Sequence, residues 1–82
     1  MATPSTFGRR LRMFRKRRGL TQGELARLAQ VSRPAITMIE NGRQSDLNIE
    51  ALVRVADVLN VSIDRLVRDD ETEDAELTAA IA

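Results

Sequence analysis

The chain has no cysteine, histidine, tryptophan or tyrosine, and only two phenylalanines in 82 residues. Without cysteine there are no disulfides, thiolate metal sites or thiol nucleophiles. Without histidine the commonest general base and metal ligand is missing. No nucleophile–base pair or metal-ligand cluster stands out, and scattered carboxylates do not make a catalytic site. An enzyme is not expected, nor a metal or cofactor. No apolar run approaches the roughly 20 residues that a membrane span needs. The opening MATPSTFGRR lacks the apolar core of a signal peptide, so a cytoplasmic protein with no membrane partner is the expectation. A chain of this length forms one small domain and buries only about 60% of its unfolded surface, so helix caps and packing carry unusual weight.

Charge is abundant and unevenly placed. All 13 Lys and Arg residues lie within positions 1–68, with six acids: Glu24, Glu40, Asp46, Glu50, Asp57 and Asp64. Thirteen positive against six negative charges leave that segment at +7. Residues 69–82 carry Asp69, Asp70, Glu71, Glu73, Asp74 and Glu76 and no base, which is −6. A basic domain followed by an acidic tail suggests a polyanionic partner. Charge alone fits a solvated basic face with a solubilising tail equally well.

Helix-start signals recur. An N-cap Ser, Thr or Asn is flanked by an apolar residue before it and another at N4 in four places. Thr21 lies between Leu20 and Leu25, Ser32 between Val31 and Ile36, Asn48 between Leu47 and Leu52, and Ser62 between Val61 and Leu66. Glu24, three residues after Thr21, completes a capping box. A first helix over about 5–18 carries the stripe Phe7, Leu11 and Phe14 and ends at Gly19. The others are expected near 22–29, burying Leu25, Ala26 and Ala29; 33–41, stopping at Gly42; 49–59, burying Leu52, Val55, Ala56 and Leu59; and 63–68. Asn60 suits a left-handed helix end. VRVADVLNV is β-branched, but its period is helical. No internal repeat is visible. The domain is expected to end at 68, with DDETED an exposed linker. Leu77 and Ile81 could support a last helical turn, against a disordered tail.

The second and third helices are separated by only Gln30, Val31 and Ser32, the tight spacing of a helix-turn-helix. From "LRMFRKRRGLTQGELARLAQVSRPAITMIENGR" through "LNIEALVRVADVLNVSIDRL", the chain resembles the lambda-repressor-like, or Xre-type, helix-turn-helix regulators. The resemblance spans about 7–68. The whole series R-x-x-x-G-L-T-Q, E-L-A, V-S-x-x-x-I, I-E-N-G and L-x-V-S-I-D-x-L carries it; one piece such as TQ-x-E-L-A is only a capped amphipathic helix. It implies an all-α, five-helix DNA-binding domain, and a sequence-specific regulator acting in the nucleoid of a bacterium or phage. One-domain members include controller proteins of restriction–modification systems.

At roughly 100° per residue, Ile36 and Ile39 share one face of the third helix, while Arg33, Pro34, Thr37, Met38 and Asn41 face the other way. In the family that outer face enters the major groove of a palindromic operator. The resemblance therefore implies base contacts from Arg33, Pro34, Thr37 and Met38. Arg33 can pair bidentately with guanine, Thr37 can bond a base or touch a thymine methyl, and the other two offer apolar contact. A solvated outer face is the plainer alternative. Phosphate contacts are implied at Arg12, Thr21, Gln22, Ser32, Asn41 and Arg43, Gln22 being aided by the N-terminus of its helix. An ion pair of Arg15 with Glu40 is also implied. Positions 9–18 hold seven basic residues that surround the helix, so not all can face DNA; Lys16, Arg17 and Arg18 suit general attraction and solubility. Gln30 departs from the family, which commonly has Gly after the second helix. A left-handed Gln there costs roughly 1 kcal/mol or more.

Members usually bind as two-fold dimers. Ile63, Leu66 and Val67 are the interface candidates, with Leu66 also suited to the core. Two other functions compete with a regulator: an antitoxin whose acidic tail, 69–82, binds a protein toxin, and a helical adaptor that never meets DNA. The Arg33–Thr37 face with Gln22 and Asn41 argues against the adaptor.

Overall fold

The computed structural model describes residues 6–44 and 47–67. The acidic stretch, the expected turn at Leu77 and Ile81, Arg68, Ser45 and Asp46 lie outside the described residues. Five helices follow in order: α1 Thr6–Arg17, α2 Gln22–Ala29, α3 Arg33–Glu40, α4 Ile49–Leu59 and α5 Ile63–Val67. No strand occurs among the described residues, and VRVADVLNV lies mainly in α4. The architecture is all-α.

Each expected cap forms. The Thr21 hydroxyl accepts the Glu24 N–H at 3.0 Å, and the Thr21 N–H donates to Glu24 Oε1 at 2.9 Å. The Ser32, Asn48 and Ser62 side chains accept from the N–H groups of Ala35, Ala51 and Arg65 at 3.2, 2.8 and 3.1 Å. Each cap satisfies a donor that has no partner within the helix. Leu20, Val31, Leu47 and Val61, the apolar residues before these caps, pack against the core. Pro34 falls within the first turn of α3, where no intrahelical N–H is required.

The helix ends use one device repeatedly. Beyond α1, α2, α3 and α4, the residues Gly19, Gln30, Gly42 and Asn60 have φ of 70, 57, 78 and 57°. This left-handed step turns the next N–H back onto a carbonyl of the last turn: Leu20 to Arg15, Val31 to Ala26, Arg43 to Met38 and Val61 to Ala56.

Among the described residues, thirteen buried apolar ones form the interior, with Leu11, Leu25, Ala29, Ile36, Ile39, Val55 and Leu66 wholly enclosed. The stripe Phe7, Leu11 and Phe14 lies in it as expected. Leu52 is only partly buried, and Ala51 takes a buried place instead. Leu66 corrects one interface assignment: it is enclosed by its own chain and has no surface to offer a partner.

Two features of α1 place it. Gly8 is buried against the C-terminal end of α3; a Cβ there would collide with the Ile39 carbonyl oxygen. Arg10 is only 2% exposed. Its Nε donates to the Arg65 carbonyl of α5, and its guanidinium carbon lies 5.2 Å from the Phe14 ring centre. Arg65 and Arg17 approach the same ring at 5.3 and 5.7 Å. Two bases of the α1 run, Arg10 and Arg17, thus attend the protein's own Phe14.

Candidate nucleic-acid interface

The α2–turn–α3 unit is anchored from below by α1. Arg15, buried, donates through Nε to Glu40 Oε2 at 2.7 Å and through Nη2 to Glu40 Oε1 at 2.9 Å. Its Nη1 donates to the Leu20 carbonyl at 2.8 Å. The side chains are 10% and 2% exposed, so the pair is well screened from water. The hydrogen bond from Arg15 to Glu40 raises the Arg15 pKa against the opposing effect of burial, and the guanidinium stays charged at any ordinary pH. The paired geometry ties the last residue of α3 to α1 and to the approach to α2.

The network continues outward. Gln22, first residue of α2, donates its amide Nε2 to Glu40 Oε1 at 3.1 Å. Its Oε1 accepts from the Thr37 hydroxyl at 3.0 Å. A chain of bonds therefore runs from the Leu20 carbonyl through Arg15, Glu40 and Gln22 to Thr37 on the half-buried flank of α3. Among the described residues no buried side-chain N or O lacks a partner.

Around this line stand the other expected contact residues. Arg33 and Pro34 are exposed, and Met38 is 40% exposed despite its apolar side chain. The Arg33 stem passes beside Gly23: its Cδ lies 4.0 Å from where a Cβ on that glycine would stand. Arg33 and the start of α2 thus share one surface. Thr21 and Ser32 are exposed, their hydroxyl oxygens occupied as caps and each still able to donate its proton. Asn41 and Arg43 are exposed just beyond α3, and Arg12 is exposed on α1 one turn before Arg15. On α5, Ile63 is half-buried and Val67 is 43% exposed.

Two contributors were not apparent from the sequence. The Gln22–Thr37 bond joins residues on different helices, and only the packing angle of α2 on α3 creates it. The other is Arg54 of α4. Its Nε donates to the Ala29 carbonyl at 2.8 Å, and its Nη2 reaches the Gln30 carbonyl at 3.5 Å. A cation thus sits at the C-terminal, negative end of α2 and braces the turn. Gln30 is left-handed, with φ 57° and ψ 42°, so the strain expected of a non-glycine residue falls where Arg54 holds. A lone Arg within a helical stretch gives little warning of this.

The helix-turn-helix family profile matches residues 11–66 of the chain. The HTH-type transcriptional regulator SinR of Bacillus licheniformis is 37% identical over 67 residues, covering 80% of this chain and 60% of the relative. The chain therefore spans about three-fifths of that protein's length. The crystal structure of SinR, the master regulator for biofilm formation, in complex with DNA aligns with a TM-score of 0.73 at 34% identity, over 76% of this chain and 98% of the other. The restriction–modification controller protein C.AhdI from Aeromonas hydrophila aligns with a TM-score of 0.69 at 30% identity, over 74% and 91%. The all-helical fold agrees with these matches, and the chain belongs to the lambda-repressor-like, or Xre-type, helix-turn-helix family of transcriptional regulators.

Proposed function

We propose that the protein is a sequence-specific regulator that sets α3 into the major groove of a palindromic DNA operator. The observation that carries this reading is the surface made by the N-terminus of α2 and the outer side of α3, held by a buried ion pair from beneath. Rigid support of this kind suits base recognition, because a reading side chain must be placed before it meets the base. Arg33, Pro34, Thr37 and Met38 face base edges. Arg12, Thr21, Gln22, Ser32, Asn41 and Arg43 grip phosphates, with Gln22 keeping a second amide N–H for that purpose.

A two-fold dimer places two such helices about one helical turn apart. Ile63 and Val67 are the candidates for its interface, being the apolar residues that α5 leaves accessible. The DNA-binding unit extends to residue 68, and the acidic segment 69–82 is a site for a protein partner. Its charge of −6 against the +7 of the preceding residues supports this division.

Selection from a random duplex pool tests the central reading. Recovery of a palindrome supports it; recovery of no shared sequence refutes it. Arg33→Ala is expected to relax preference at one position per half-site and to cost about 1–3 kcal/mol. A loss equal across all sequences would make Arg33 a phosphate contact instead.

A further inference from the structure

The hydrogen bonds behind α3 have a direction, and the direction ends at the proposed reading surface. A carboxylate accepts hydrogen bonds and donates none. Glu40 therefore requires a donor from Gln22, and the Gln22 amide must turn its NH2 toward Glu40, where the separation is 3.1 Å. The reverse orientation would set two oxygens against each other. With the NH2 so committed, the Gln22 oxygen faces Thr37, 3.0 Å from its hydroxyl. Thr37 must then donate. A threonine hydroxyl has one proton and two lone pairs. Once the proton is spent on Gln22, the hydroxyl can only accept.

We propose that Gln22 fixes the hydroxyl proton of Thr37 and so makes Thr37 an acceptor-only reader that selects an amino group on the facing base. This rests on the reading of α3 as the helix in the major groove. In that groove adenine and cytosine present amino donors at N6 and N4, whereas guanine and thymine present keto acceptors at O6 and O4. A free threonine could serve either kind, by donating or accepting. A threonine held by Gln22 meets a keto oxygen lone pair to lone pair. Gln22 is thus a positioning residue for specificity, in addition to any contact its remaining N–H makes with phosphate. The buried Arg15–Glu40 pair is the origin of the polarity, because it sets Glu40 where only a donor can satisfy it.

The experiment uses the full chain and the duplex recovered by selection, with each half-site position changed in turn to all four bases. One position is defined as the Thr37 position by its response to Thr37→Val. There the parent is expected to favour A or C over G or T by about three- to tenfold, the range of one neutral hydrogen bond. Gln22→Leu is expected to abolish that preference although Thr37 is untouched, and the Gln22→Leu, Thr37→Val double variant to abolish it no further. Thr37→Ser should retain the preference, since it keeps the hydroxyl. Gln22→Met, unbranched at Cγ, serves in place of Gln22→Leu if thermal melting shows that the latter disturbs α2. A Gln22 variant that weakens every duplex equally and keeps the amino preference overturns the proposal. So does a parent preference for a keto base at the Thr37 position. Failure of the parent to bind any duplex selectively is a different result, and refutes the DNA reading itself.

Discussion

The chain makes the same turn twice, thirty residues apart, and uses it for two purposes. In the first copy α2 ends at left-handed Gln30, Val31 bonds back to the Ala26 carbonyl, and Ser32 caps α3. In the second, α4 ends at left-handed Asn60, Val61 bonds back to the Ala56 carbonyl, and Ser62 caps α5. The backbones nearly coincide, at φ 57° and ψ 42° against φ 57° and ψ 44°. The buried positions also correspond: Leu25 with Val55, Ala26 with Ala56, Ala29 with Leu59 and Ile36 with Leu66. The difference lies on the outer side of the following helix. In α3 it displays Arg33, Pro34 and Met38, and in α5 Asp64, Arg65 and Val67. α1 holds both following helices, α3 through the Arg15–Glu40 pair and α5 through the Arg10 bond to the Arg65 carbonyl, and the first turn carries the Arg54 clamp as well. The first turn, which leads into the helix proposed to meet DNA, thus adds a clamp to the support that α1 gives both copies.

The largest test of that contrast is Arg15→Ala. It leaves Glu40 buried without its cation, and the expected cost is about 3–5 kcal/mol in a denaturant melt. DNA binding should fall with it. A variant that melts like the parent and loses affinity alone would show that the bracing is not structural.

Arg54→Ala comes next. It removes a charged donor from the Ala29 carbonyl at the end of α2. The expected loss is about 1.5–3 kcal/mol by chemical denaturation. An unchanged midpoint would mean that the first turn holds its shape without the clamp.

Glycine exchanges at the two turns sharpen the comparison further. Gln30→Gly should stabilise the domain by about 1 kcal/mol, because a side chain is costly in the left-handed region. Asn60→Gly should gain less, since asparagine tolerates that region better. Equal gains in thermal melting would show that Asn60 is as strained as Gln30.

The smallest expected effect is pH-dependent and belongs to the first unit alone. The backbone N–H of Thr21, with help from its hydroxyl, lowers the Glu24 pKa below the ordinary value. A carboxylate lowered in the folded state stabilises the fold above its unfolded pKa of about 4.3 and loses that benefit as pH falls through the folded value. The difference in melting temperature between the parent and Glu24→Ala should therefore be full near neutrality and shrink in acid below that range. A difference that grows in acid would reverse the sign of the linkage.

The local features of this fold were plain in its sequence because they depend on near neighbours. The four caps, their apolar flanks and the helix spans needed only the spacing of Thr21, Ser32, Asn48 and Ser62, and the observed ends differ from the expected ones by a residue or so. The doubled turn is hard to read from the sequence because the copies share few side chains beyond Val–Ser and the buried positions. Arg10 looked like one of seven bases on an exposed helix; its burial depends on the Arg65 carbonyl, which only tertiary packing brings near. Arg54 and the Gln22–Thr37 bond were hidden for the same reason. The ion pair of Arg15 with Glu40 was expected from family resemblance; spacing along the chain does not indicate it.

The Arg10 contact has a consequence for how the domain assembles. α1 has 12 residues, a length at which an isolated helix is marginal in water even without like charges crowded along it. It packs on α3 and α5, so its partners lie in the middle and at the end of the described chain. The two turn-linked pairs close short loops, whereas docking α1 on α5 closes one of some fifty residues, at a higher entropic cost. Helicity in α1 therefore draws on the surface that α3 and α5 present and is not sustained by α1 alone. The support of α3 by Arg15 shares that dependence, because its partner Glu40 lies 25 residues further along the chain.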